Sequence, residues 1–230
     1  MPKLENHFRT KREVAISTLS DAIRSGRYAP GQQLRQVQLV EDLGLGSTPV
    51  REAVLELLAR GVLVQESHHS VRVAELDLPR LRNIYRVRIL LETEAAKLGT
   101  ARISDGDVAL MGELLARMEE GRDAGRISAV AEADSAFHLT LYRAAENPLL
   151  LDLIGQVNLS FPGSILWNIE GRIAQSLREH TAILKAVGRR DPTEAAFAIE
   201  RHLSSGFAAL EAHVETVATR GPAPRGRTPS

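Results

Sequence analysis

From about Asp77 to about Ala218 the chain repeats apolar residues at helical spacing and never alternates like a strand. That periodicity restricts the stretch to helices packed on helices. Its boundaries are punctuated: Ser104 precedes DGDVALMGELLARMEE, Asn147-Pro148 precedes LLLDLIGQVNL, and Asp191-Pro192 precedes TEAAFAIERHL. Asp191 can accept from the free amides of a first turn, Pro192 needs no amide there, and Glu194 can reach back. The pattern predicts about six helices in an antiparallel bundle.

Several polar residues interrupt the apolar stripes. In AEADSAFHLTLYRAAEN the stripe of Val130, Phe137, Leu141 and Ala145 contains Asp134 and His138, four residues and about one turn apart. His180 falls within the stripe Ile173, Leu177, Leu184 and Val187, and His202 within Ala195, Ile199, Gly206 and Ala209. A buried carboxylate and buried imidazoles need partners. Hydrogen bonds can satisfy a lone inward histidine; three of them on different helices, with an aspartate, make a ligand set for a divalent transition metal, zinc first, with nickel, cobalt, manganese or iron(II) as alternatives. One carboxylate and three neutral imidazoles would leave the ion with a net charge of about +1, which favours an anion at an open position, such as a small organic acid. Arg88 is the misfit in the stripe Leu81, Ile84, Leu91 and Ala95. It could recognise that carboxylate through paired hydrogen bonds or pair with Glu92 at the bundle rim. His213 reads as rim or interface, His7, His68 and His69 as solvent-facing, Met111 and Met118 as core, and Trp167 as a pocket lining or a gap filler.

The first 76 residues are organised differently. Leu39, Val40 and Leu43 form a short apolar face, Gly44 permits a tight turn, Leu45 plugs the corner, Thr48 caps and Pro49 starts a second helix with inward Val50, Val54, Leu57 and Leu58. Gly61 ends that helix, and VLVQE and SVRVAEL then form a hairpin around SHH. The order is that of a winged helix-turn-helix, whose second helix presents Ser47, Thr48 and Arg51 to a major groove about 12 Å wide. Arg51 suits guanine or a phosphate, or pairs with a neighbouring acid on a solvated helix.

The bulk numbers narrow the classes. The 230 residues are 43% hydrophobic with a formal net charge of zero and no cysteine, so disulfides and thiolate metal sites are excluded and net charge gives no sign of nucleic acid. No apolar run approaches a membrane span and no secretory signal opens the chain, which predicts a cytoplasmic protein without a membrane partner.

The runs SGRYAPGQQL, LVEDLGLGSTPVREAVLELLARGVL and VRVAEL resemble the N-terminal domain of the GntR family of bacterial transcription regulators over nearly all of residues 11 to 76. TPVREA followed by L..L...G is a specific signature of it. LRNIYRVRILLETEAA, DSAFHLTLYRAAENPLL, SLREHTAILKAVGRRDP and AIERHL resemble the all-helical ligand domain of the FadR subgroup, nearer its shorter six-helix branch. The resemblance implies that Asp134, His138, His180 and His202 are metal ligands, that Arg88 lies in the effector pocket, and that Ser47, Thr48, Pro49, Arg51 and the wing residue His69 meet DNA. Where the family often carries Ser-Arg this chain has Gly46 and Ser47, and where the wing is often basic residue then glycine it has His69 and Ser70. Fewer phosphate contacts imply modest DNA affinity or an unusual operator.

These readings give a mainly α protein: a winged helix-turn-helix DNA-binding domain over residues 1–76, an antiparallel all-α metal- and effector-binding, dimerising domain over 77–218, and a disordered tail over 219–230. The expected function is a ligand-responsive bacterial transcription regulator that binds a palindromic double-stranded operator as a homodimer. One alternative makes the metal itself the signal. Another is a metal-dependent enzyme, which the chain disfavours: no general base adjoins the ligands as Glu does in HExxH, since Glu179 adjoins His180 but points to another face.

Overall fold

The computed structural model describes residues 10–24, 26–67, 70–75, 77–159 and 164–220. The N-terminal part runs α1 (Lys11–Arg24), β1 (Gln33–Arg35), α2 (Gln36–Leu43), α3 (Ser47–Ala59), β2 (Leu63–Ser67) and β3 (Ser70–Val73). Its own apolar core gathers Leu19, Ile23, Leu39, Val54, Leu57 and Leu63, all essentially buried. The hairpin β2–β3 pairs Leu63 with Val73 and Gln65 with Val71, with a register shift between Gln65 and Ser67. β1 adds a third antiparallel strand on the other side of β3, Leu34 opposite Val71. The sequence pattern showed only one strand pair, because QLR is too short to alternate and reveals itself only by burying Leu34.

Gly44 takes the left-handed conformation after α2, φ 64°, as a tight turn requires. The next helix begins earlier than its punctuation suggests. Gly46 is the residue before α3 and Ser47 the first within it, so Thr48 is not the cap and Pro49 is the third helical residue. Proline is tolerated there because the amides of a first turn have no partner within the helix.

The helical part comprises α4 (Leu78–Arg102), α5 (Asp105–Asp123), α6 (Ile127–Arg143), α7 (Pro148–Asn158), α8 (Ser164–Trp167), α9 (Arg172–Gly188) and α10 (Pro192–Arg220). Six are long; α8 is a single turn. α10 continues two residues past the expected edge of the domain, and the tail from residue 221 lies outside the described residues. The read caps form: Ser104 and Asp107 make a reciprocal capping box, Asn147 Oδ1 accepts from Leu150 N, and Asp191 Oδ1 accepts from Glu194 N at 3.0 Å. α4 packs along α10 and against α6 and α7, α5 against α6 and α9, and α9 against α10. Phe137, Met111, Met118, Leu141, Ile183 and Ile199 fill the core, and Trp167 packs on it. Gly99 brings α4 against α6, since a Cβ there would collide with the Leu141 carbonyl oxygen.

Arg80, in the first turn of α4, ties the two parts by donating to the Gly61 and Arg60 carbonyls that end α3, at 2.5 and 2.6 Å. Beside it lies an open groove of about 710 Å³ lined by residues that include Arg60, Arg80, Val87 and Gln156. Among the described residues no helix is long and apolar enough to cross a membrane.

Candidate metal centre and nucleic-acid face

The helical stripes carry their misfits to one place. Asp134 and His138 come from α6, His180 from α9 and His202 from α10, and one donor atom from each lies within 4.8 Å of the others. His180 Nε2 stands 3.1 Å from His138 Nε2 and 3.0 Å from Asp134 Oδ1; His138 Nε2 is 3.8 Å from the same oxygen. The imidazole centroids are 4.7 to 5.0 Å apart.

The outer nitrogens determine what the inner ones can be. His180 Nδ1 lies 2.7 Å from the Ser176 carbonyl oxygen one turn back. A carbonyl only accepts, so Nδ1 carries the proton and Nε2 keeps a lone pair. His202 Nδ1 lies 2.8 Å from Glu179 Oε2, with the same consequence. His138 Nδ1 faces the Tyr142 hydroxyl at 3.3 Å, and that hydroxyl gives its own proton to Glu92 Oε2 at 2.8 Å. Burial, with the Glu92 charge, raises the Tyr142 hydroxyl well above its ordinary pKa and keeps that proton in place. Burial likewise lowers His138 and His202, so both stay neutral at pH 7. Burial acts to raise Asp134, and only a proton carried by a neighbouring imidazole, His180 foremost, would hold its carboxyl below the usual range.

Nitrogen lone pairs and a carboxylate thus face one another with no proton between them. Asp134 Oδ1 is buried and receives no hydrogen bond. A divalent cation would resolve this: ligands at about 2.1 Å from one ion lie about 3 Å apart at right angles and about 3.4 Å apart tetrahedrally, close to the 3.1 and 3.0 Å that separate His180 Nε2 from His138 Nε2 and Asp134 Oδ1. The donor set fits a borderline transition ion and exceeds what magnesium or calcium, which prefer oxygen, would need.

Two charged arms, whose reach to the ligands sequence reasoning missed, hold these imidazoles. Glu179 turns toward α10 rather than away from the ligands: it accepts from His202, and Arg172 grips it with Nη1 and Nη2 at 3.2 and 2.9 Å. Burial would raise Glu179, but bonds from His202, Arg172 and Ser205 bring it down to about 2. Spacing held a signal for Arg172 and Glu179, seven residues apart on one helix face, but not for the contact with α10. The second arm runs from Arg88, whose Nε donates to Glu92 Oε1 at 2.8 Å, through Tyr142 to His138. Arg88 therefore does pair with Glu92, but inside the bundle rather than at its rim: their side chains are 15% and 2% exposed.

On the N-terminal part, Ser47, Thr48 and Arg51 are exposed and Pro49 is half-buried along the first turns of α3. The acid nearest in the helix beyond Glu52, Glu56, is taken by Arg12 and Arg60 at 2.8 and 2.9 Å. In the wing, Ser70 is buried and shares a hydrogen bond with Ser67 at 2.7 Å. His69, like His7 and His68, lies outside the described residues; His213 is half-buried on α10.

Residues 83–205 match the FCD domain, and residues 11–73 match the description "Bacterial regulatory proteins, gntR family". The chain belongs to the GntR family and carries an FCD domain. It is a DNA-binding transcription regulator of that type, and no enzyme family is indicated among its relatives. It is 28% identical over 162 residues to the HTH-type transcriptional regulator McbR of Escherichia coli K12, covering 70% of this chain and 73% of that one. It is 27% identical to the Nta operon transcriptional regulator of Aminobacter aminovorans, covering 80% and 86%. The fold matches the solved E. coli McbR/YncC with a TM-score of 0.82 at 22% identity, over 90% of this chain and all of that one.

Proposed function

We propose that this GntR/FCD regulator holds a divalent transition metal, zinc first, on Asp134, His138, His180 and His202, and that a small carboxylate effector bound beside it alters operator binding. The observation that carries the reading is the convergence of unprotonated imidazole nitrogens on a buried carboxylate oxygen that lacks any donor. When bound, the ion supplies a positive charge and an open position for an anion. The chain's part is to orient the imidazoles through Ser176, Glu179 and Tyr142, to exclude water by the surrounding core, and to place the Arg88 charge nearby. In this reading residues 1–76 are the DNA-binding domain and 77–218 the metal- and effector-binding one, working in the cytoplasm on an operon, the kind of target that the name of the Nta operon transcriptional regulator gives for that relative.

Ser47, Thr48, Pro49, Arg51 and the wing residue His69 would meet a palindromic operator. One copy offers one recognition helix, and half-sites about 34 Å apart need two, so the working unit is a homodimer. Val87 and Leu90 of α4 and Leu149 and Leu153 of α7 are exposed apolar residues on helices that pack together, a surface suited to cover by the second copy.

The engagement of Arg88 with buried Glu92 favours a second reading, in which the metal alone is the signal and no organic acid is required. Operator affinity of the zinc-loaded and zinc-free protein, each with and without a panel of metabolite acids, separates the two. Affinity that responds to an acid only when zinc is present supports the effector reading. Affinity that responds to neither zinc nor acid sinks both.

A further inference from the structure

The three imidazoles are not held alike. His180 leans on a backbone carbonyl and His138 on a neutral hydroxyl, whereas His202 faces a carboxylate directly, Nδ1 to Glu179 Oε2 at 2.8 Å. A charged acceptor orients the ring, fixes the tautomer and makes the opposite nitrogen more basic. Glu179 is itself fixed. Arg172, 2% exposed, meets both carboxylate oxygens, and its Nη1 also reaches Ser205 Oγ at 3.3 Å, while Gln175 Nε2 donates to the same hydroxyl at 2.6 Å. Arg172 Nε is buried and unbonded, so the guanidinium is aligned on the carboxylate even though one of its donors stays without a partner. A buried ion pair gives little stability compared with apolar residues of its size, so stability is a weak reason for this one.

We propose that Glu179, clamped by Arg172, is a positioning residue for His202: it locks the ring as the Nδ1–H tautomer and raises metal affinity without touching the ion. Arg172 also cancels the Glu179 charge, so the arm strengthens His202 without neutralising the cation that would attract an anionic ligand. The inference rests on the metal reading above for its affinity claim and on geometry alone for its tautomer claim.

The test uses the full-length protein with nitrogen-15-labelled histidine, zinc-free for long-range proton–nitrogen NMR and titrated with Zn(II) against a competing chelator. Three forms are compared: wild type, Glu179→Gln, which keeps an acceptor without the charge, and the double variant Arg172→Met, Glu179→Leu, which removes both charges together. Wild type is expected to show His202 with its proton on Nδ1. The double variant is expected to melt near wild type, to show His202 mixed or reversed, and to bind Zn(II) about 10- to 100-fold more weakly. Glu179→Gln falls between and decides the matter if the double variant does not fold. An unchanged His202 tautomer in the folded double variant overturns the proposal, as does Zn(II) affinity unchanged in every variant that folds. Wild-type protein that takes up no Zn(II) ends the metal reading, while its His202 spectrum still decides whether Glu179 sets the tautomer.

Discussion

In the winged part the side chains proposed to act stand in water: Ser47, Thr48 and Arg51 are exposed on the first turns of α3. In the helical part they are sunk among apolar residues, His180 fully buried and Glu92 nearly so. The two placements impose different rules. An exposed arginine is solvated and awaits a partner, so its removal should leave the fold untouched. A buried carboxylate or imidazole must be satisfied by its neighbours, so each one commits the next, and the commitment travels from Arg88 through Glu92 and Tyr142 to His138. Separable contacts on one part and interdependent ones in the other are therefore the expected contrast.

The strongest challenge to it is the double variant His138→Ala, His180→Ala. Elemental analysis should show metal falling from about one ion per chain to background, since two of the ligands are gone. Equal metal in both proteins would remove the centre. Next comes Glu92→Ala, which strands Arg88 inside the bundle; thermal or denaturant unfolding should show a loss of about 3–5 kcal/mol. A loss well under 1 kcal/mol would mean the arm is solvated and the contrast false.

Acid sharpens the comparison. Burial lowers His138 and His202 in the folded zinc-free protein, so the unfolded chain takes up protons first as pH falls through the ordinary histidine range near 6.5. Stability is thus full above that range and falls below it, and Glu179, held near 2, extends the loss from the ordinary glutamate range downward. Unfolding measured across pH 8 to 4 should show this slope in wild type and a flatter one in the double histidine variant.

Arg51→Ala should do the reverse: operator affinity falls by about 1–3 kcal/mol with its salt dependence reduced, while the melting temperature stays put. A changed melting temperature would place Arg51 in the fold rather than at the DNA. The smallest effect is that of Ser104→Ala, which opens the capping box of α5 and costs about 1 kcal/mol of stability without altering metal content.

Much of this was legible in the chain. Stripe positions placed Asp134, His138, His180 and His202 on inward faces, and serine, asparagine and aspartate before helical runs marked α5, α7 and α10, because caps and periodicity depend on residues within a turn or two. β1 was hidden by its length, the start of α3 by a proline tolerated anywhere in a first turn, and Glu179 by an angle that appeared to turn it away.

By itself the sequence determined which residues each helix turns inward and where most helices begin, since both are set by neighbours along the chain. Only the tertiary structure decided who meets whom: His138 meets His180 across 42 positions, Glu92 meets Tyr142 across 50 and Glu179 meets His202 across 23. Periodicity fixes a direction around one helix axis; which atoms stand opposite depends on how neighbouring helices approach and rotate, and here on Gly99, where the absence of a Cβ lets α4 and α6 close.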